Sequence, residues 1–214
     1  MITELRNSFN QKYRPEQYQN LLAQLEKRAG KEVGFRIAET PIFMPKAMLE
    51  EMAQAGVRLT QRLLKWPDYL SAAHNSIPAG FLVAGETEHP HFLTADFALV
   101  LDNNGQTPKA FVPKLVEMQA FPSVYAYQAL LCEEYAAVFG LPTALGTFLG
   151  GLNKDAFWNL FRRTVLGRHD PENVVLTEVD PENQKTLPDF LLTAAHLGIS
   201  VVDITKLVPV GNKL

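Results

Sequence analysis

The 214-residue chain holds one cysteine, Cys132, which excludes an internal disulfide and a zinc centre built from thiolates. It has no run of roughly 18 apolar residues, the length a helix needs to cross a bilayer. Its N-terminus, MITELRNSFNQKYRPEQ, lacks the apolar stretch of a secretion signal. Excess positive charge is missing too. The net charge is −3, whereas neutralising nucleic-acid phosphates takes clustered Lys and Arg. Neither a P-loop Gly-Lys-Ser/Thr nor a Gly-x-Ser-x-Gly nucleophile motif occurs. These absences predict a cytoplasmic protein with no nucleic-acid or membrane partner. With 47% hydrophobic and 20% charged residues, the remainder reads as a folded globular chain rather than a disordered one.

Helix signals dominate the first third. Pro15 suits a first turn and Gly30 a stop, and Tyr18, Leu21, Leu22, Leu25 and Ala29 fall on one stripe between them. A second helix is expected from Pro45 to about Lys65, with Met48, Met52, Val57, Leu63 and Leu64 facing a core. A shorter one follows from Trp66-Pro67-Asp68 to Ser76. The texture then changes. Gly80–Ala84 and Leu93–Leu101 read as strands, Asp102-Asn103-Asn104-Gly105 as a turn, and Phe111–Gln119 as the returning strand. Pro122 opens a helix that Gly140 stops, and residues 141–151 form a loop. Asn153 caps the next helix, which ends at Gly167. The run from Asn173 to Ile204 reads as strand, Thr186-capped helix and strand, a βαβ unit that implies parallel pairing. Cys132 lies mid-helix among Leu130, Leu131 and Tyr135 and reads as core.

The fold class expected is therefore α/β. N-terminal helices precede a β-hairpin and a βαβ unit forming a mixed sheet flanked by helices. A mainly helical region, 1–79, would pack on an α/β region, 80–214, either as one compact domain or as the front part of a longer protein.

Chemistry concentrates at one end of the hairpin. Thr94 and Asp96 share a face of the first strand, as Glu117 and Gln119 share a face of the second. Folding about Gln106 and Thr107 sets Asp96 opposite Glu117 and Thr94 opposite Gln119. Carboxylates facing each other across a sheet repel. A Lys or Arg, a shared proton or a cation must offset that. Carboxylate and amide oxygens suit Mg2+, which takes one or two carboxylates plus phosphate oxygens. The alternative is a solvated face with these acids paired to lysines such as Lys109 or Lys114.

Thr94-Ala95-Asp96-Phe97, a Gly-containing turn and Pro113-Lys114-Leu115-Val116-Glu117-Met118-Gln119-Ala120 together resemble a pattern of the glutathionylspermidine synthase-like ATP-grasp ligases. There the pattern is Arg-x-Asp-Phe, a turn, then Pro-Lys-Leu-Leu-Glu-Tyr-Asn-Ala. Residues Asn173 to Ile204, with Gly198-Ile199 to Leu207, resemble that family's next unit. The resemblance spans about residues 80–214 and implies a pre-ATP-grasp-like fold with Mg2+ and ATP as cofactors. It implies Asp96, Glu117 and Gln119 as metal ligands, with Asp96 and Glu117 catalytic. Thr94 and Gln119 would lie against the cofactor. The reaction implied joins a small-molecule carboxylate to an amine through an acyl phosphate. Thr94 stands where the family has an Arg that contacts the reacting phosphoryl group. Gln119 stands for its Asn. The family's ATP-clamping lysines lie in a segment after the βαβ unit.

Other features compete. Ser123, near a helix start, could bind a substrate carboxylate or a cofactor phosphate, or simply cap the helix. Glu86, Glu88, His89 and His91 alternate at a strand mouth, and Glu88 with the two histidines could hold a transition metal in a hydrolase. A non-catalytic binding or assembly module that keeps the scaffold is the remaining alternative.

Overall fold

The computed structural model describes residues 2–82, 85, 87, 89–101, 111–120 and 124–211. Among these residues the fold is α/β. The helices are α1 (Thr3–Lys12), α2 (Pro15–Ala29), α3 (Lys46–Leu64), α4 (Pro67–Asn75), α5 (Tyr125–Phe139), α6 (Lys154–Leu166) and α7 (Leu187–Leu197). The strands are β1 (Thr94–Leu101), β2 (Phe111–Gln119), β3 (Val175–Glu178) and β4 (Ser200–Asp203). They form two separate sheets, an antiparallel β1–β2 hairpin and a parallel β3–β4 pair, where one mixed sheet was expected. The chain divides into two compact units, residues 1–3 with 43–122 and residues 4–42 with 123–214.

The second unit carries the larger core. Pro15 begins α2, and Gly30 ends it at φ 77°, a left-handed conformation open to glycine. The α2 stripe buries Leu21 and Leu25 completely, against Ile37, Tyr127, Leu130 and Tyr135. That packing explains why residues 4–42 fold with the C-terminal part of the chain. Tyr18 Oη donates to the Ile37 carbonyl at 2.7 Å, and Tyr135 Oη donates to the Ala38 carbonyl. These two bonds pin the extended segment beneath α2. Asn153 Oδ1 accepts the Ala156 N–H at 2.9 Å, capping α6 as its position predicts. Thr186 makes no side-chain cap on α7. The β3–β4 register runs from Val175 opposite Ser200 to Glu178 opposite Asp203. β3 starts two residues later than expected because Pro171–Asn173 forms a 3-10 turn.

In the first unit α3 lies on the hairpin, and its one buried residue is Gly56. A Cβ at Gly56 would meet the Ala95 Cβ at 3.3 Å, so the glycine sets how closely helix and strand approach. Met48, Met52, Leu63 and Leu64 are half-buried, whereas Val57, expected inside, is exposed. Ala79–Phe81 is a 3-10 turn rather than the start of a strand. Pro78 at φ −59° precedes it, and the Phe81 N–H closes onto the Pro78 carbonyl at 2.9 Å. Val83, Ala84 and the turn at 102–105 lie outside the described residues.

Candidate functional site

The hairpin brings its polar residues together in the pairing that alternation predicts. Asp96 faces Glu117 and Thr94 faces Gln119. Beyond this end the register shifts between Asp96 and Phe97, so that Phe97 faces Leu115. The bulge leaves Val116 standing out at 65% exposure. Bulges recur where a strand must re-aim side chains. Asp96, Glu117 and Gln119 are all exposed. Gln119 Nε2 donates to Glu117 Oε1 at 2.6 Å, which fixes the carboxylate's direction and leaves the Gln119 amide oxygen as an acceptor.

Among the described residues, no Lys or Arg nitrogen lies within ion-pair distance of Asp96 or Glu117. Lys114 stands across from Ala98, two positions along from Asp96. Lys114 therefore pairs with neither acid, and Lys109, the other lysine of the solvated-face alternative, lies outside the described residues. Like charges directly opposite each other across a sheet are destabilising. Two carboxylates and an amide oxygen are hard donors, and that set fits Mg2+.

Ser123 and Glu88 lie outside the described residues. The helix start near Ser123 is nevertheless informative. Tyr127 N–H donates to Asp189 Oδ1 at 2.8 Å, and the Ala126 and Val124 N–H groups also bond that carboxylate. The anion at this helix start is the protein's own. Burial pushes the Asp189 pKa up, against the three N–H bonds that pull it down. His89 and His91 are exposed, and no group of three His, Cys, Asp or Glu side chains is poised for a metal among the described residues. The half-buried Cys132 thiol has its pKa raised by burial, which disfavours the reactive thiolate.

A second cluster, within the second unit, was not foreseen from the sequence. Arg28 Nη1 donates to Glu134 Oε1 at 2.6 Å and to Glu133 Oε2 at 3.3 Å. Lys154 Nζ meets the other Glu133 oxygen at 3.0 Å. The His196 ring lies on the Trp158 indole with centroids 3.7 Å apart. Desolvation lowers the His196 pKa, and the charges of Arg162 and Lys154 lower it further, against Glu133. Arg28, Glu133, Lys154, Trp158 and His196 border a cavity of about 150 Å3. Lys154 lies in the first turn of α6, where Asp155 already complements the helix dipole, so nothing local calls for an acid from elsewhere. Its partner on α5 carries no mark in the sequence. Comparison with protein-family models, with characterised proteins and with solved structures found no match to this chain.

Proposed function

We propose that the polar end of the hairpin binds Mg2+ and, with it, the phosphates of ATP. This is the role the motif resemblance implies for the pre-ATP-grasp part of a carboxylate–amine ligase. The observation that supports it most is Asp96 opposite Glu117 with no basic side chain between them among the described residues. Asp96 and Glu117 supply the carboxylate ligands. Gln119 holds Glu117 in place through its amide N–H and offers its own oxygen. When bound, the metal would neutralise charge on the phosphoryl group. Thr94, opposite Gln119, supplies a hydroxyl rather than a guanidinium. Stabilising the transferring phosphoryl group therefore falls to residues other than Thr94. The substrates are a small carboxylate and an amine. The finer arrangement proposed is the pre-ATP-grasp one.

The test is a titration of the whole chain with Mn2+, followed by water-proton relaxation, then with Mg2+ in competition and with ATP. Asp96→Asn with Glu117→Gln should weaken metal binding by at least about tenfold, because both hard charges are removed. Equal binding by the two proteins would overturn the assignment.

A second reading, a non-catalytic assembly module, is favoured by one observation. Trp66, Tyr69, Leu70, Phe81 and Leu82 in the first unit are all more than two-fifths exposed. Sedimentation equilibrium across concentration separates this reading: self-association that Mg2+ and ATP leave unchanged would support it.

A further inference from the structure

The cavity in the second unit takes no part in the hairpin chemistry, and its lining is amphipathic in a definite way. Its floor is apolar, made by Ala126 and Leu130 from α5 and Leu192 from α7. The Trp158 indole, backed by His196, adds an aromatic surface. Arg28 and Lys154 stand at the border, with side chains 46% and 55% exposed. A volume of about 150 Å3 is that of an apolar cavity able to take one benzene ring.

The charges select the sign of a guest. Glu133 is held from two sides, by Arg28 at 3.3 Å and Lys154 at 3.0 Å. Glu134, nearly buried, takes Arg28 at 2.6 Å. Both acids are therefore committed to internal pairs. A cationic guest at Glu133 would sit beside Arg28 and Lys154, which already hold that carboxylate, and would be repelled by both. An anionic guest meets the reverse: an ammonium has three N–H donors, and Lys154 makes one ion pair among the described residues. Arg162 adds positive potential near His196, which in its neutral form still offers one N–H.

We propose that this cavity binds a small organic monocarboxylate with a single-ring or branched aliphatic body. The body lies against Leu130, Leu192 and Trp158, and the carboxylate lies at Lys154 and Arg28.

Benzoate, acetate and benzylamine are the probes, titrated separately into the whole 15N-labelled chain without Mg2+ or ATP. Benzoate should shift the Trp158 indole N–H saturably and leave that of Trp66, in the other unit, unmoved. Acetate lacks the body and benzylamine has the wrong charge, so each should bind at least about tenfold more weakly. Lys154→Gln changes an exposed side chain and should weaken benzoate about fivefold or more while the spectrum stays folded. Leu192→Trp should fill the cavity and abolish binding. No saturable shift with benzoate, equal binding of benzylamine, or full affinity in Lys154→Gln would each overturn the proposal. Asp96 and Glu117 play no part, so this test and the metal titration succeed or fail separately.

Discussion

Asp189, in the first turn of α7, accepts the Tyr127 N–H in the first turn of α5 at 2.8 Å, so one carboxylate serves two helix starts. α5 has no cap of its own, since Val124 stands at that position. Asp189→Ala leaves buried N–H groups without an acceptor and should cost about 2–3 kcal/mol in urea unfolding. Asp189→Asn keeps an acceptor oxygen and should cost less than about 1 kcal/mol near neutral pH. The pH dependence follows from the raised pKa. The native state binds this proton more readily than the unfolded chain does. The contribution is complete below the ordinary carboxylate pKa and is lost as pH rises through the raised value. Wild type should therefore gain on Asp189→Asn as pH is lowered toward about 4. A constant difference would show that the carboxylate titrates alike in both states.

Three tyrosines line the core, and one is unlike the others. Tyr18 and Tyr135 donate to backbone carbonyls, while the buried Tyr127 hydroxyl has no partner among the described residues. Tyr18→Phe should lose about 1 kcal/mol. Tyr127→Phe should gain about as much, because it removes a desolvated group that gets nothing back. Burial also pushes the Tyr127 pKa up to about 12. The stability tied to its protonated form is present below the ordinary value of about 10 and lost as pH rises toward 12. Tyr127→Phe should accordingly soften alkaline unfolding, measured by far-ultraviolet circular dichroism. A destabilised Tyr127→Phe would reveal a partner for the hydroxyl.

In the first unit, Gly56 meets Ala95 with no room to spare. Gly→Ala inside a helix ordinarily gains about 1 kcal/mol. Here a Cβ 3.3 Å from that of Ala95 opposes the gain, so Gly56→Ala should come out near zero. Gly56→Val adds two more methyl groups and should cost about 2 kcal/mol by overpacking. Faster hydrogen exchange at β1 amides should report the loss. Unchanged exchange in Gly56→Val would mean that α3 can lift from the hairpin freely.

Val124 holds φ 53° and ψ 24°, a left-handed conformation that a β-branched residue rarely adopts. The strain is worth about 1–2 kcal/mol. Its half-buried side chain packs against the core and contributes a similar amount, about 1 kcal/mol. The two nearly cancel, so Val124→Gly should change stability by less than about 1 kcal/mol. A loss above about 2 kcal/mol in thermal unfolding would show that packing at this site outweighs the backbone strain.

Local features were well marked in the sequence. Pro15, Gly30, Asn153, Gly140 and Gly198 are start and stop signals that act within a turn of themselves, and each lies at a helix boundary in the structure. The polar end of the hairpin was legible because alternation puts Thr94 with Asp96 and Glu117 with Gln119 on shared faces, and a fold taken about Gln106 and Thr107 sets the two pairs opposite each other. The bulge between Asp96 and Phe97 was not, since no glycine or proline marks it. Long-range packing was least visible. Val57 fits a helical stripe yet is exposed, because the approach of α3 to β1 is set by Gly56, whose contribution is a missing side chain. Likewise nothing local to Arg28 announces Glu134, 106 positions away.

That sequence distance has a consequence during synthesis. The second unit is discontinuous, with residues 43–122 emerging between its two parts. On the ribosome, the greasy side of α2 must wait for α5 across about a hundred residues, roughly 5–20 s at common elongation rates. The intervening unit is fully translated in that interval and is free to fold first. The nascent chain therefore carries an unshielded Leu21–Leu25 stripe for seconds, a natural target for a holding chaperone, and premature termination before α5 should yield an aggregation-prone fragment.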